Sequence, residues 1–324
     1  MLRFFLDPQQ PPLLRKYNMT DPAVILQHLM WSRKANIGLW ATSWWGPRSR
    51  EDTTTINVIL NHSDIGQHKI ALLYETNNRL RISGTNYSTA WIETDINHMC
   101  ENYFSHPNYY QIDGRPVVFI YLTRSLSGMK ILDSVLILMK AAAAKYNFDP
   151  YFIGDQVWSN APSGTYAPFT QLDAVTSYDV RGGLRMNDTT NYVTQTRLNN
   201  YYSQQQGWKT AANSQGCAYV PPTSPGFNDR GVRLGSGHGA VSRRLSPDAD
   251  PGSLFRASLK AAVALVDSRT NNLMMINSFN EWHEDTQIEP TIITNTTILP
   301  LNLTQGVEYE GYGEFYLDIV AAET

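Results

Sequence analysis

Short runs of almost wholly apolar residues alternate along the chain with longer stretches of helical period. The apolar runs lie at 37–45, 69–75, 116–122, 151–157, 174–180, 217–220 and 273–279, and each reads as a strand buried on both faces. Between them, segments 21–35, 91–104, 129–146, 191–206 and 252–269 carry apolar residues at helical spacing. In the last of these, Leu254, Phe255, Leu259, Ala262, Val263 and Val266 form one stripe, with Asp250 as expected N-cap and Pro251 at the first helical position. Alternation of this kind predicts a parallel sheet covered by helices. An open dinucleotide-binding sheet would place a Gly-rich turn after its first strand, and Trp44-Trp45-Gly46-Pro47 is not one. The pattern therefore predicts an α/β fold, a (β/α)8 TIM-type barrel with one strand faint or missing. One domain, 1–324, is expected, with residues 1–20 as an N-terminal arm and 291–324 as a C-terminal tail packed on the barrel.

Composition narrows the classes of partner. The 324 residues carry a net charge of −3, which gives no electrostatic case for nucleic acid. No apolar run approaches the roughly 20 residues of a membrane span, and no signal peptide is visible at the start. Cys100 and Cys217 imply no disulfide framework. Sequons at Asn18, Asn61, Asn86, Asn187, Asn295 and Asn302 point weakly to the secretory pathway or the extracellular space. The cations are skewed, 18 Arg against 8 Lys, and Arg is the residue that grips carboxylate or sulfate with a planar fork.

In a barrel, chemistry collects at the C-terminal ends of the strands. Those ends carry Trp44, Trp45 and Arg48, then Glu75, then Tyr121 and Arg124, then Asp155 and Trp158, then Tyr178, Asp179, Arg181 and Arg185. The last strand runs into Glu281, Trp282, His283, Glu284, Asp285 and Glu289. Aromatic rings that stack on sugars, together with polar groups that meet hydroxyls, suit a carbohydrate. Two nearby carboxyls can divide acid and base roles when their surroundings separate their pKa values.

The segment Ser278-Phe279-Asn280-Glu281-Trp282-His283-Glu284-Asp285-Thr286-Gln287-Ile288-Glu289 resembles glycoside hydrolase family 99, the endo-α-mannosidase family, which usually has Gly where this chain has Asp285. The stretches 21–44, 114–121, 222–226 and 313–317 are similar too, so the resemblance runs over most of the chain. It implies a (β/α)8 barrel, retention of anomeric configuration and no cofactor or metal. Glu281 would be the base towards the sugar 2-hydroxyl and Glu284 the general acid and then base. Positions three apart on a strand face opposite ways, so both acids reach one cavity only through a turn at Trp282–His283. The chain starts where the family's first strand would already have ended, and residues 2–6 are a candidate replacement. Arg48, Arg124, Arg181 and Arg185 raise an anionic glycan, such as a sulfated fucan, as a substrate beside an α-mannoside.

The function expected is thus an endo-acting, retaining glycosidase of an oligo- or polysaccharide, acting as a monomer. The alternative is a catalytically inactive carbohydrate-binding barrel, for which retention of both Glu281 and Glu284 has no use. Gln287, which stands where the second His of a zinc-peptidase motif would be, argues against that class. The loop at Gly235–Gly239 resembles a phosphate cradle, but no strand leads into it and no Lys follows. It reads as a loop beside the active face, with His238 a candidate substrate contact.

Overall fold

The computed structural model describes residues 10–185, 190–233, 237–298 and 301–324, and in it the apolar runs form a parallel sheet wrapped by helices. The strands are β1 (Leu39–Trp44), β2 (Lys69–Tyr74), β3 (Gln111–Ile112), β4 (Arg115–Ile120), β5 (Tyr151–Asp155), β6 (Ala174–Thr176), β7 (Ala218–Tyr219), β8 (Pro222–Thr223) and β9 (Met275–Ile276). Pairing is parallel in the order β1-β2-β4-β5-β6-β7, with β8 parallel to β9. The exception is β3, which forms a short antiparallel hairpin with β4 that the sequence pattern did not announce. The run 217–220 divides its pairing: Val220 N–H still bonds the Val175 carbonyl, while Met275 N–H bonds Pro221.

Period-two alternation decides what each strand end presents. Ala71, Val117, Phe119, Tyr151, Ile153, Ala174 and Ala218 make the inner cluster, whereas Ile70, Leu72, Tyr74, Val118, Ile120, Phe152, Val175 and Tyr219 pack outward on the helices. By the same parity Ser43, Glu75, Tyr121 and Asp155 continue the inward rows, and Trp44 falls in the outward one.

No strand pairing joins β9 to β1 among the described residues, so the sheet curls without closing. A cavity of about 820 Å³ follows this seam, lined by residues 39–43 on one side and 273–277 on the other. The candidate replacement strand, residues 2–6, lies outside the described residues. Residues 10–20 are anchored at the top of the molecule, where Leu13 N–H bonds Pro290 and Ile292 N–H bonds Pro11. The C-terminal helix Phe315–Glu323 packs on the helices Pro22–Lys34 and Ser253–Val263.

Two helix expectations need correction. The helix expected over 252–269 spans Ser253–Val263, and its cap is Gly252, at φ +70°, rather than Asp250. A Cβ at Gly252 would meet Ile319 and Phe315, so close approach of the C-terminal helix fixes the start. The helix expected over 191–206 is displaced to Gln195–Asn213, because Thr194 caps it through its side chain and burial of Trp208 and Ala212 carries it onward.

Asp52 locks the top of β1 to its surroundings. Its carboxylate accepts from Trp44 Nε1 at 2.8 Å, Tyr103 OH at 2.7 Å and Arg48 N–H at 2.8 Å, and it meets His98 Nε2 at 2.9 Å. Burial pushes its pKa up, but bonds from His98, Tyr103, Trp44 and Arg48 outweigh that and leave it below the ordinary value. A depressed folded pKa contributes stability above the unfolded value, near 3.9, which is lost as pH falls through the folded one. Asp52→Ala is expected to cost about 1–3 kcal/mol in denaturant unfolding at neutral pH. The gap from wild type should narrow as the pH is lowered below about 4; a gap independent of pH would contradict this role.

Candidate active site

After β9 the chain makes a compact loop whose neck is tied twice. Ser278 N–H bonds the Thr286 carbonyl at 2.8 Å, and the hydroxyls of Ser278 and Thr286 meet at 2.9 Å. The peptide bond between Asn277 and Ser278 is cis. Ser278 Oγ also accepts Glu281 N–H at 2.7 Å. Residues 282–285 then turn, with Trp282 N–H bonded to the Asn280 carbonyl. The turn expected between the two acids is therefore present. Asp285, where the resembling family usually has Gly, has φ +54°, a conformation that glycine adopts most readily and Asp tolerates. The Asp carboxylate is put to use: it is buried and takes a 3.0 Å bond from Arg243, itself buried between Tyr312 and Tyr316.

The two acids face different spaces. Glu281 lines the upper end of the seam cavity, accepts His283 N–H at 2.8 Å and has His283 Nδ1 at 3.4 Å. Glu284 lines a second cavity of about 220 Å³ with Tyr121, Arg124, Tyr178, Asp179, Arg181, Arg233 and His238. Tyr178 and Asn277 border both cavities. Burial pushes the Glu284 carboxyl above its ordinary pKa, an ion pair with Arg233 at 2.9 Å draws it back, and the nearby Glu281 raises it. Glu75, inward on β2, is a third acid in the same field. Its pKa is pushed up to about 7 by burial, lowered by a bond with Ser43 and raised by Glu281 and Glu284. One carboxyl field that favours protonation at two of its members is able to donate a proton near neutral pH.

The family model for glycosyl hydrolase family 99 matches residues 8–320. The chain belongs to this family. Among curated relatives, mouse glycoprotein endo-alpha-1,2-mannosidase is 24% identical over 311 residues, which cover 88% of this chain and 57% of the mouse protein. The human endo-alpha-1,2-mannosidase-like protein is 24% identical over 304 residues, covering 88% of this chain and 58% of its own. The chain thus spans less than two thirds of the length of these relatives. A solved family 99 endo-alpha-mannosidase from Bacteroides thetaiotaomicron superposes with a TM-score of 0.65 at 23% identity, over 96% of this chain and 86% of that one. A solved glycoside hydrolase-like protein gives a TM-score of 0.66 at 19% identity, over 97% and 89%. These likenesses are ones of fold, and they agree with a barrel-type α/β architecture.

Against the family 99 frame, the residues expected at the site divide into those that line its cavities and those that do not. Glu281, Glu284, Tyr121, Arg124, Tyr178, Asp179, Arg181 and His238 do. Trp44 does not: outward parity buries it completely on Tyr74 with its N–H on Asp52. Trp282 is also buried, and its N–H bonds Glu289 at 2.8 Å, so its ring supports the loop from behind instead of stacking on a sugar. Arg48 contributes a backbone N–H to Asp52, and its side chain lines neither cavity. Arg185 is committed to Asn191 and the Ala240 carbonyl. Trp45 and Trp158 are both 41% exposed and line neither cavity, though Arg124, which does, lies over the Trp158 ring at 5.1 Å. His283 is half exposed beside Glu281.

Three residues outside the expected catalytic and substrate-binding set matter here. Asp155, buried at the end of β5, accepts Arg124 at 2.7 Å, Leu122 N–H at 3.0 Å and Tyr178 N–H at 2.9 Å, and so ties together the chain beyond β4, β5 and β6. Asp229 and Arg233 form an i,i+4 pair, and the spacing was the available signal. Among the described residues no group of three side chains is arranged to hold a metal ion.

Arg233 is the cation that bonds Glu284 directly. Arg233→Gln should move the Glu284 titration to higher pH, because burial and Glu281 then act without opposition. Carbon-13 NMR of the glutamate carboxyls against pH reads this; an unmoved or lowered midpoint would contradict the assignment.

Proposed function

We propose that the chain is a retaining glycoside hydrolase acting within an α-linked glycan of α-mannoside type. The observation that carries this reading is the Glu281–Glu284 turn, which puts two carboxyls in adjoining cavities with the more buried one favouring its protonated form. Glu281 takes the proton of the 2-hydroxyl on the sugar being cleaved, and that oxygen attacks the anomeric carbon. Glu284 gives its proton to the departing glycosidic oxygen, so the bond breaks as a 1,2-anhydro sugar forms. In the second half Glu284 takes a proton from water, water opens the anhydro ring, and Glu281 returns its proton to the 2-oxygen. The two displacements together retain configuration. Glu75 tunes the pair through its charge, and Tyr178 and Asn277 form the wall between the two halves of the reaction.

The family match and the named mannosidase relatives support an α-mannoside as the sugar and the secretory pathway as the place of action. The endo mode fits a cavity bordered on both sides of Tyr178 by open space. The Asn side chains of the sequons at Asn18, Asn61, Asn86, Asn295 and Asn302 are exposed, and Asn187 lies outside the described residues. Among the described residues no helix is long and apolar enough to cross a membrane.

Glu281→Gln and Glu284→Gln should each lower hydrolysis of α-mannan about 10²–10⁴-fold without changing thermal unfolding. Binding of oligosaccharides with no shortened product from the wild type, on α-mannan, α-glucan and sulfated fucan alike, would instead support a carbohydrate-binding barrel. Activity that survives both substitutions would refute the site.

A further inference from the structure

The second cavity holds more cationic groups than a neutral sugar requires, and they are not equally engaged. Arg124 is committed to both oxygens of Asp155 at 2.7 and 2.8 Å. Arg233 is divided between Glu284 and the buried Asp229. His238 Nδ1 lies 2.7 Å from the same Asp229 oxygen, so one buried carboxylate fixes two of the groups on the cavity wall. Arg181 differs. Its guanidinium lies 5.1 Å over the Phe227 ring, and Nε donates a long bond, 3.4 Å, to the Gly239 carbonyl. Among the described residues its two terminal nitrogens bond nothing, and it meets no carboxylate within ion-pair distance.

A half-buried guanidinium, held flat by an aromatic ring with its outer fork unspent, matches the paired oxygens of a sulfate or carboxylate. A sugar hydroxyl offers no such pair. The cavity also contains Asp179, one of whose oxygens accepts Gly182 N–H at 2.7 Å, and Glu284. Those carboxylates repel an anion, so a charged group has a favourable place only at the Arg181 end. Because the cavity borders Glu284 and not Glu281, it lies on the side of the departing sugar.

We propose that this cavity is a subsite for an anionic substituent, a sulfate ester or a uronate carboxylate, on the sugar that leaves, with Arg181 as its ligand. The inference rests on Glu284 being the acid, which is what fixes the side. It also places the charge away from the 2-oxygen of the cleaved ring, which must remain a free hydroxyl for Glu281 to deprotonate.

Calorimetric binding to the full chain carrying Glu281→Gln tests this with three probes: sulfated α-fucan oligosaccharides, the same oligosaccharides after desulfation, and α-linked oligogalacturonate. At least one anionic probe should bind about tenfold or more tightly than the desulfated one, the margin of a charge-assisted bidentate contact. Adding Arg181→Gln should erase that preference while leaving the neutral affinity within about twofold, and Arg181→Lys should restore part of it. Preference for sulfate alone or uronate alone identifies which anion the subsite takes. No preference for either anion, absence of binding included, or equal weakening of charged and neutral probes by Arg181→Gln, would overturn the proposal. The two readings fail separately. A preference intact in a wild type that cleaves nothing removes the hydrolase and leaves the subsite; cleavage of a neutral α-glycan without any preference does the reverse.

Discussion

The buried carboxylate of Glu289 ties the acidic loop to the N-terminal part of the chain. Glu289 is fully buried and accepts hydrogen bonds from Tyr17 OH at 2.7 Å and Trp282 Nε1 at 2.8 Å, with His28 Nε2 at 3.1 Å. Burying a carboxylate is costly unless its lone pairs are met, and here three donors from three parts of the chain meet them. The N-terminal segment, the helix Pro22–Lys34 and the loop after β9 are thereby joined at one point. Tyr17 and Phe279 both pack against the His28 ring, at 5.3 and 5.2 Å between centroids. With Trp282 drawn back into this network, the residues on either side of it are displayed forward. The turn over 282–285, built on that anchor, sets Glu281 and Glu284 apart.

Much of the architecture was legible because it follows from period. Apolar runs gave seven strand positions, and the helices between them account for the parallel order. What period alone does not show is where a run changes partner, as at Val220–Pro221, or that β9 shortens to two residues before the acidic loop begins. Strand parity was available but needs a fixed inside and outside. Once the inner row is set by Ala71 and Val117, Glu75 must point inward and Trp44 outward, which moves Trp44 from substrate wall to helix packing. Trp282 was misplaced as a sugar platform for a related reason: its partner, Glu289, lies seven residues on and becomes its neighbour only when the loop folds back. Arg233 was the least legible. It reaches Glu284 because Asn228 N–H bonds the Glu284 carbonyl at 2.7 Å, a contact between loops over 50 residues apart in sequence.

The two cavities give a physical reason for dividing labour within so short a segment. Glu281 is near enough to raise the pKa of Glu284, yet Tyr178 and Asn277 border both cavities and give each carboxyl its own surroundings. On one side Glu281 is tied to backbone and His283. On the other, Glu284 lies among arginines, of which Arg233 answers it directly while Arg181 meets no carboxylate among the described residues. The unclosed seam between β9 and β1 enlarges the Glu281 side. Glu281 therefore borders the larger space, about 820 Å³ against about 220 Å³ beside Glu284.

The central claim is that Glu281 and Glu284 act in two successive displacements rather than in one direct attack by water. Proton NMR of the first sugar released by the wild-type chain from an α-glycan reads this most directly, before mutarotation mixes the anomers. The account predicts an α-configured reducing end. A β-configured first product would mean a single inversion and would contradict it.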